Sequence, residues 1–371
     1  MPITRHLAYL DHAATAPISG PANDAIGAWA QQASEWGDTA WPEWEQRANR
    51  VRRLAADLIG AAAEEVALVP NTSSGINLVA EGFPWCEGDN VVTLANEFPS
   101  NLYPWMNLAG RGVETRRVPV DDGQVDLDRI AAACDWRTRI ISVSWVGYSL
   151  GWRMDLEALV ALAHERGALV FLDAIQGLGV FPIHVQRVGV DFLAADGHKW
   201  LLGPEGAGLF YVRREHLALL RPLSVGWNSV VQAHDFSHVE LNLRPDASRY
   251  EGGSRNMVGH LALGASLDLL AGLGLGPDQS PLAERVLSLT DEAAARLESI
   301  GAVLKSCRQP AHRSGILAFE LPGRNAVEVR GRCLQAGVVL SVRAGNLRIS
   351  PHAYNDDTDL DRLIAVLRNA A

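Results

Sequence analysis

The chain has 371 residues, 48% of them hydrophobic and 20% charged, a balance that suits a soluble globular protein large enough for two domains around a shared cleft. A formal net charge of −10, with basic residues scattered rather than gathered in a stripe, excludes an electrostatic nucleic-acid binder. No run approaches the roughly 18 consecutive apolar residues of a membrane span, and Met1 to His6 lacks an apolar signal core, so no membrane association and a cytoplasmic address are expected.

In chain order, Val91–Leu94 reads as a short apolar strand, Arg139–Val143 as a second and Ala168–Leu172 as a third. Between the last two, Asp155–Arg166 has helical spacing and stops at Gly167, a natural position for the residue after a helix. Asp191–Ala194 and Gly208–Val212 continue the strands. This βαβ rhythm predicts an α/β large domain with a mostly parallel sheet, whose ligands bind outside the carboxyl ends of the strands. After Asn256 the pattern changes. Helices are expected at Leu261–Ala271 and Pro281–Ile300, strands at Gly315–Leu321 and Val338–Val342, and a last helix at Asp357–Asn369. The expected division is an N-terminal segment 1–24 packing on the small domain, a large domain 25–256, and a smaller α+β domain 257–371. The Gly272–Pro277 stretch is the loosest point near the junction. The four cysteines, Cys86, Cys134, Cys307 and Cys333, are far apart and form no CxxC pair; reduced thiols and no metal site are expected.

Two segments carry the chemistry. Asp173 ends the apolar run Phe171-Leu172-Asp173, where a lone carboxylate is costly without a cationic partner. A protonated pyridine ring is such a partner, and pyridoxal phosphate (PLP) needs a carboxylate there to stay protonated. The interval from Asp173 to Gly197-His198-Lys199 leaves room for one helix and one strand, and Lys199 then follows a buried strand. Taken alone, Asp173 could cap the next helix and Gly-His-Lys could be a surface turn.

Asp173-Ala174-Ile175-Gln176 together with Gly197-His198-Lys199 resembles the class V aminotransferase family of fold-type I PLP enzymes, which includes cysteine desulfurases, selenocysteine lyases, isopenicillin-N-epimerase-like proteins and kynureninases. The similarity extends from Tyr9-Leu10-Asp11-His12-Ala13-Ala14-Thr15 to Arg348–Asn355. The resemblance implies a Schiff base on Lys199, a ring-nitrogen contact for Asp173, and a contact from Gln176 to the ring hydroxyl. It makes Val69–Asn77 the phosphate loop. There a hydroxyl-rich turn opens a helix, and Thr72 and Ser73 add donors to its free N–H groups. His198 is expected at the phosphate too, and Phe98 as the ring-stacking side chain. Asp196 departs from the family pattern, where many relatives carry a serine for the phosphate; a carboxylate repels a dianion, so Asp196 is expected to hydrogen-bond a neighbour such as His198. Ser254 would reach the phosphate of a neighbouring subunit, which implies a homodimer. Trp227 is expected against the same phosphate or in packing. Arg348 would grip the substrate α-carboxylate, its planar fork matching a carboxylate, with Tyr148 beside the substrate as an acid or as pocket wall.

Desulfurases of this family carry a mobile-loop cysteine upstream of the arginine motif. The interval Ser341–Leu347 holds no cysteine and is short. The expected function is therefore a PLP enzyme acting on a small amino-acid-like substrate by Cβ elimination, of C–S lyase type, and not a persulfide-forming desulfurase. Transamination, epimerisation and non-catalytic PLP binding are the alternatives. A nicotinamide dehydrogenase is disfavoured because no GxGxxG follows the first strand.

Overall fold

The apolar, β-branched runs pair into one central sheet in the computed structural model, which describes residues 1–369. Its seven strands lie in the order Val66–Val69, Gly208–Val212, Phe192–Asp196, Leu169–Asp173, Thr138–Ser144, Asn90–Leu94, Glu114–Val118. Only Gly208–Val212 runs antiparallel to its neighbours. The strands expected at 91–94, 139–143, 168–172, 191–194 and 208–212 all lie within two residues of these. Their side chains are buried on both faces, as a parallel sheet covered by helices requires. The helix Leu156–Glu165 begins at Asp155, whose carboxylate accepts from the Ala158 N–H at 3.1 Å. It is followed by Gly167 at φ +72°.

Two helices ahead of the sheet, Gly20–Trp36 and Trp41–Ile59, were not anticipated. The second buries Trp44, Ala48, Val51, Ala55 and Leu58, spaced three and four apart on one face. Both pack on the helix Met257–Gly272, which corrects the expected boundary after residue 256. That helix is apolar nearly all round. Leu263, Leu267 and Leu270 join the core beneath the large sheet, so it belongs to the large domain. The break follows it, at Leu273–Ser280, where Gly274 has φ +88°.

The smaller unit has its own core under a four-stranded antiparallel sheet ordered Ser341–Arg343, Asn346–Ile349, Leu317–Glu320, Val303–Leu304. The strand expected at 338–342 is two pieces: Val338–Val339 pairs in parallel with Ala8–Tyr9, and Ser341–Arg343 enters the small sheet. Ala8 and Leu10 are buried in this second core. The helix Pro281–Ser299 joins the two cores. Leu282 and Val286 face the first, and Leu289, Ala293 and Leu297 the second. Among the described residues no helix is long and apolar enough to cross a membrane.

Candidate active site

The carboxyl ends of the parallel strands open on a cavity of about 400 Å³. Asp173 closes one strand and Lys199 stands just beyond the next, so adjacent strand ends bring the two together. The Asp173 carboxylate is buried and accepts the Ile175 N–H at 3.1 Å. Burial raises its pKa to about 6, against that hydrogen bond and the pull of Lys199. Lys199 is lowered to about 8, chiefly by burial, with Asp173 opposing and the charge of Arg348 adding to the shift. The turn that presents it demands Gly197. A side chain there would place its Cβ 2.7 Å from the Ala207 carbonyl oxygen. The Leu202 N–H then bonds back to the Lys199 carbonyl at 3.0 Å.

Opposite, the helix Thr72–Gly82 points its N-terminus at the cavity. Asn71 caps it, accepting from the Ser74 N–H at 2.8 Å, and Thr72 and Ser73 form its first turn. Thr72 Oγ1 is buried without a hydrogen-bond partner. His198 Nδ1 lies 3.0 Å from Asp196 Oδ2, but Nδ1 makes no aligned hydrogen bond, so this is a close contact rather than a directed bond. These residues fit PLP. An unsatisfied hydroxyl and free N–H groups at a helix N-terminus suit a phosphate. A buried carboxylate beside a buried, pKa-lowered lysine suits a cationic ring and its aldehyde.

The remaining wall comes from elsewhere in the chain. Phe98 lies over Lys199, with Nζ 5.6 Å from its ring centroid, and meets Tyr148 edge-on at 5.3 Å. Arg348 sits in the strand Asn346–Ile349 and is buried. Its Nε donates to Ser341 Oγ at 3.1 Å, one terminal nitrogen to Asp11 at 3.0 Å, and the other to the Tyr148 carbonyl. Five N–H groups less these three leave two for a ligand. The turn Ala344–Gly345 joins Ser341–Arg343 to Asn346–Ile349, with φ of +48° and +79°, the two left-handed residues of a tight hairpin.

The cavity thus gathers Thr72, Ser73, Phe98, Tyr148, Asp173, Gln176, His198, Lys199 and Arg348. Gln176 lines it with its amide largely committed: Nε2 donates to the Ala13 carbonyl and Oε1 accepts from Trp200 Nε1, both at 2.9 Å. A ring-hydroxyl contact would have to use its second N–H. Trp227 and Ser254 are not brought to this cavity within one chain. They share a small aromatic recess with Trp41 and Trp44, and Ser254 is exposed. Asp11, Asn71 and Arg343 were missed as site residues. Asp11 and Asn71 lie inside the matched motifs, and Arg343 lies in the interval searched for a cysteine.

Residues 8–363 match the model of the aminotransferase class-V family. A probable cysteine desulfurase of Methanothermobacter thermautotrophicus is 30% identical over 100% of this chain and 96% of its own length. A cysteine desulfurase of Klebsiella pneumoniae strain 342 is 34% identical, covering 98% of this chain and 93% of that protein. Among solved structures, the apo cysteine desulfurase of Thermococcus onnurineus superimposes with a TM-score of 0.88 at 24% identity, covering 100% of this chain and 96% of its own. The cystine C–S lyase C-DES, in complex with cysteine persulfide, reaches 0.92 at 20% identity over 99% of both chains. At those identities the last two show a common fold.

Proposed function

We propose that this chain, which belongs to the aminotransferase class-V family and is a PLP enzyme, is a Cβ-eliminating lyase of C–S lyase type rather than a persulfide-forming desulfurase. When bound, PLP supplies the electron sink that lets a Cα proton leave and a Cβ substituent follow. Asp173 holds the proton at the ring nitrogen, its high pKa falling once that cation faces it. Thr72, Ser73 and His198 take the phosphate. Arg348 binds the substrate α-carboxylate through its two free N–H groups and so fixes which Cα bond is presented. Lys199, its pKa lowered to about 8, serves as the base at Cα. Phe98 covers the site without adding a titratable group.

The observation that carries this reading is the Ala344–Gly345 hairpin. Where the family resemblance calls for a mobile cysteine loop there is a two-residue turn, and the cavity wall contains no cysteine. Cys333 is buried in the small-domain core, and burial pushes its thiol up to about 11, far from a nucleophilic thiolate.

The enzyme works as a homodimer in the cytoplasm under this reading. Ser254 does not line the cavity of Lys199 but is exposed in the adjoining one, which it shares with Asn71 and Ser73. Exposed Val225, Trp227, Val231, Phe236, Val239 and Leu241 give the same region an apolar face to cover.

The test is turnover of the holoenzyme on single amino acids, cysteine and cystine included, with no keto-acid acceptor. Continuous release of keto acid, ammonia and a Cβ fragment is expected. One equivalent of keto acid per site followed by arrest would make it a transaminase. Sulfur transfer that disappears on replacing Cys333 or Cys307 by alanine would make it a desulfurase.

A further inference from the structure

Arg343 differs from its neighbour Arg348, which is ion-paired with Asp11. Lys199 feels Asp173 through space without an ion pair and is the residue assigned to the cofactor. Arg343 lines the cavity too, half-buried, but its guanidinium donates from one terminal nitrogen to the adjacent Val342 carbonyl at 2.9 Å. Among the described residues no carboxylate lies within ion-pair distance of it. Asp11 is near enough to feel its charge, but Arg348 and Ser341 already occupy Oδ1 of that carboxylate.

The hairpin register fixes how the two arginines stand. Ser341 is paired with Arg348, and Arg343 with Asn346. Residues two apart on a strand share a face, so Arg343 points to the same side as Ser341, whose hydroxyl meets Arg348. Arg343 is therefore the diagonal neighbour of Arg348, with side-chain roots about 7–8 Å apart. The tight Ala344–Gly345 turn holds that spacing.

We propose that Arg343 receives a second carboxylate, carried on the substrate side chain, and that the substrate class is an amino acid with a carboxyl-bearing side chain. This rests on the assignment of the α-carboxylate to Arg348 and of the cofactor phosphate to the Thr72–Ser73 turn and His198. With those two anions placed, Arg343 is the cation left facing the cavity without a partner. A neutral side chain would leave it so, which gives the site a means of discriminating against neutral amino acids.

The experiment compares glutarate and adipate with butyrate, which lacks one carboxylate, by calorimetric titration of the holoenzyme. Wild type, Arg343→Gln, Arg343→Lys and Arg348→Gln are used, each first checked for the cofactor absorption band and an unchanged melting midpoint. Wild type is expected to bind the better diacid about tenfold or more tightly than butyrate, the scale of one charge-assisted contact. Arg343→Gln should erase that preference and leave butyrate binding unchanged. Arg343→Lys should keep part of it, and Arg348→Gln should weaken both ligands. No diacid preference in wild type, or one that survives in Arg343→Gln, would overturn the proposal. So would equal loss for both ligands in Arg343→Gln, since Arg343 would then share the α-carboxylate site. These titrations involve no turnover. A diacid preference lodged in Arg343, in an enzyme that proves to transaminate, would sink the lyase reading alone.

Discussion

The wall that carries Asp173, Lys199 and Thr72 is made from strand ends and one helix N-terminus of a single sheet. The wall that carries Arg343 and Arg348 is a hairpin braced by residues far away in the chain. On the first wall each functional side chain is placed by its own backbone: the last residue of a strand, the second residue after Gly197, the first turn of a capped helix. On the second wall Arg348 is held by Ser341, Asp11 and the Tyr148 carbonyl, contacts that span up to 337 positions in sequence. The first kind of site tolerates change elsewhere and fails when its own residues change. The second depends on how the N-terminal segment and the small domain meet the large one.

This difference predicts different failures. Lys199→Ala is expected to lower turnover roughly a thousandfold and to abolish the covalently held cofactor band, because it removes the proposed attachment point and Cα base together. Asp173→Asn should lower turnover on the order of a hundredfold while substrate still binds, measured as kcat against KM. A loss confined to KM would break the division between the walls. Cofactor loading onto apoenzyme should accelerate about tenfold per pH unit up to about pH 8 and then level off. The attacking amine is neutral only above its pKa, so the rate rises with pH. A rise continuing past pH 10 would mean that Lys199 is not desolvated. Arg348→Gln should raise KM by about tenfold or somewhat more with cofactor retention intact, and Asp11→Asn should follow it in direction. Retention lost in either variant would merge the two walls into one cooperative unit. The smallest effect belongs to the thiols. Replacing all four cysteines by alanine should leave kcat within about twofold, with a stability loss of about 1 kcal/mol concentrated at buried Cys333.

The same division explains what was legible in the sequence. Strand cores and the Asp173 and Lys199 positions follow from apolar runs ended by a polar residue, a local signal that survives without any tertiary information. The boundary after residue 256 failed because the helix Met257–Gly272 has almost no polar face: composition says it is buried but not against which core. The helix Gly20–Trp36 was invisible for the opposite reason, since its only buried side chain is Ala22. Arg343 could not be singled out because arginine is ordinary on a small-domain strand. Its distinction is the missing partner, which only the assembled hairpin reveals.

The parallel bridge from Ala8–Tyr9 to Val338–Val339 also sets an order of events during synthesis. A nascent chain that has emerged through Ser280 already contains every strand of the seven-stranded sheet, with Asp173 and Lys199 in their places. Residues 8–12 must still wait for residues 338–350 before they have a sheet partner or Arg348 to hold. On the proposed assignment of Asp173 and Lys199 to the cofactor and Arg348 to the substrate, vectorial folding would thus let the polypeptide capture its cofactor early and acquire its grip on substrate last. On the same assignment, a product truncated within the small domain before Arg348 would be a cofactor binder with no hold on an amino acid.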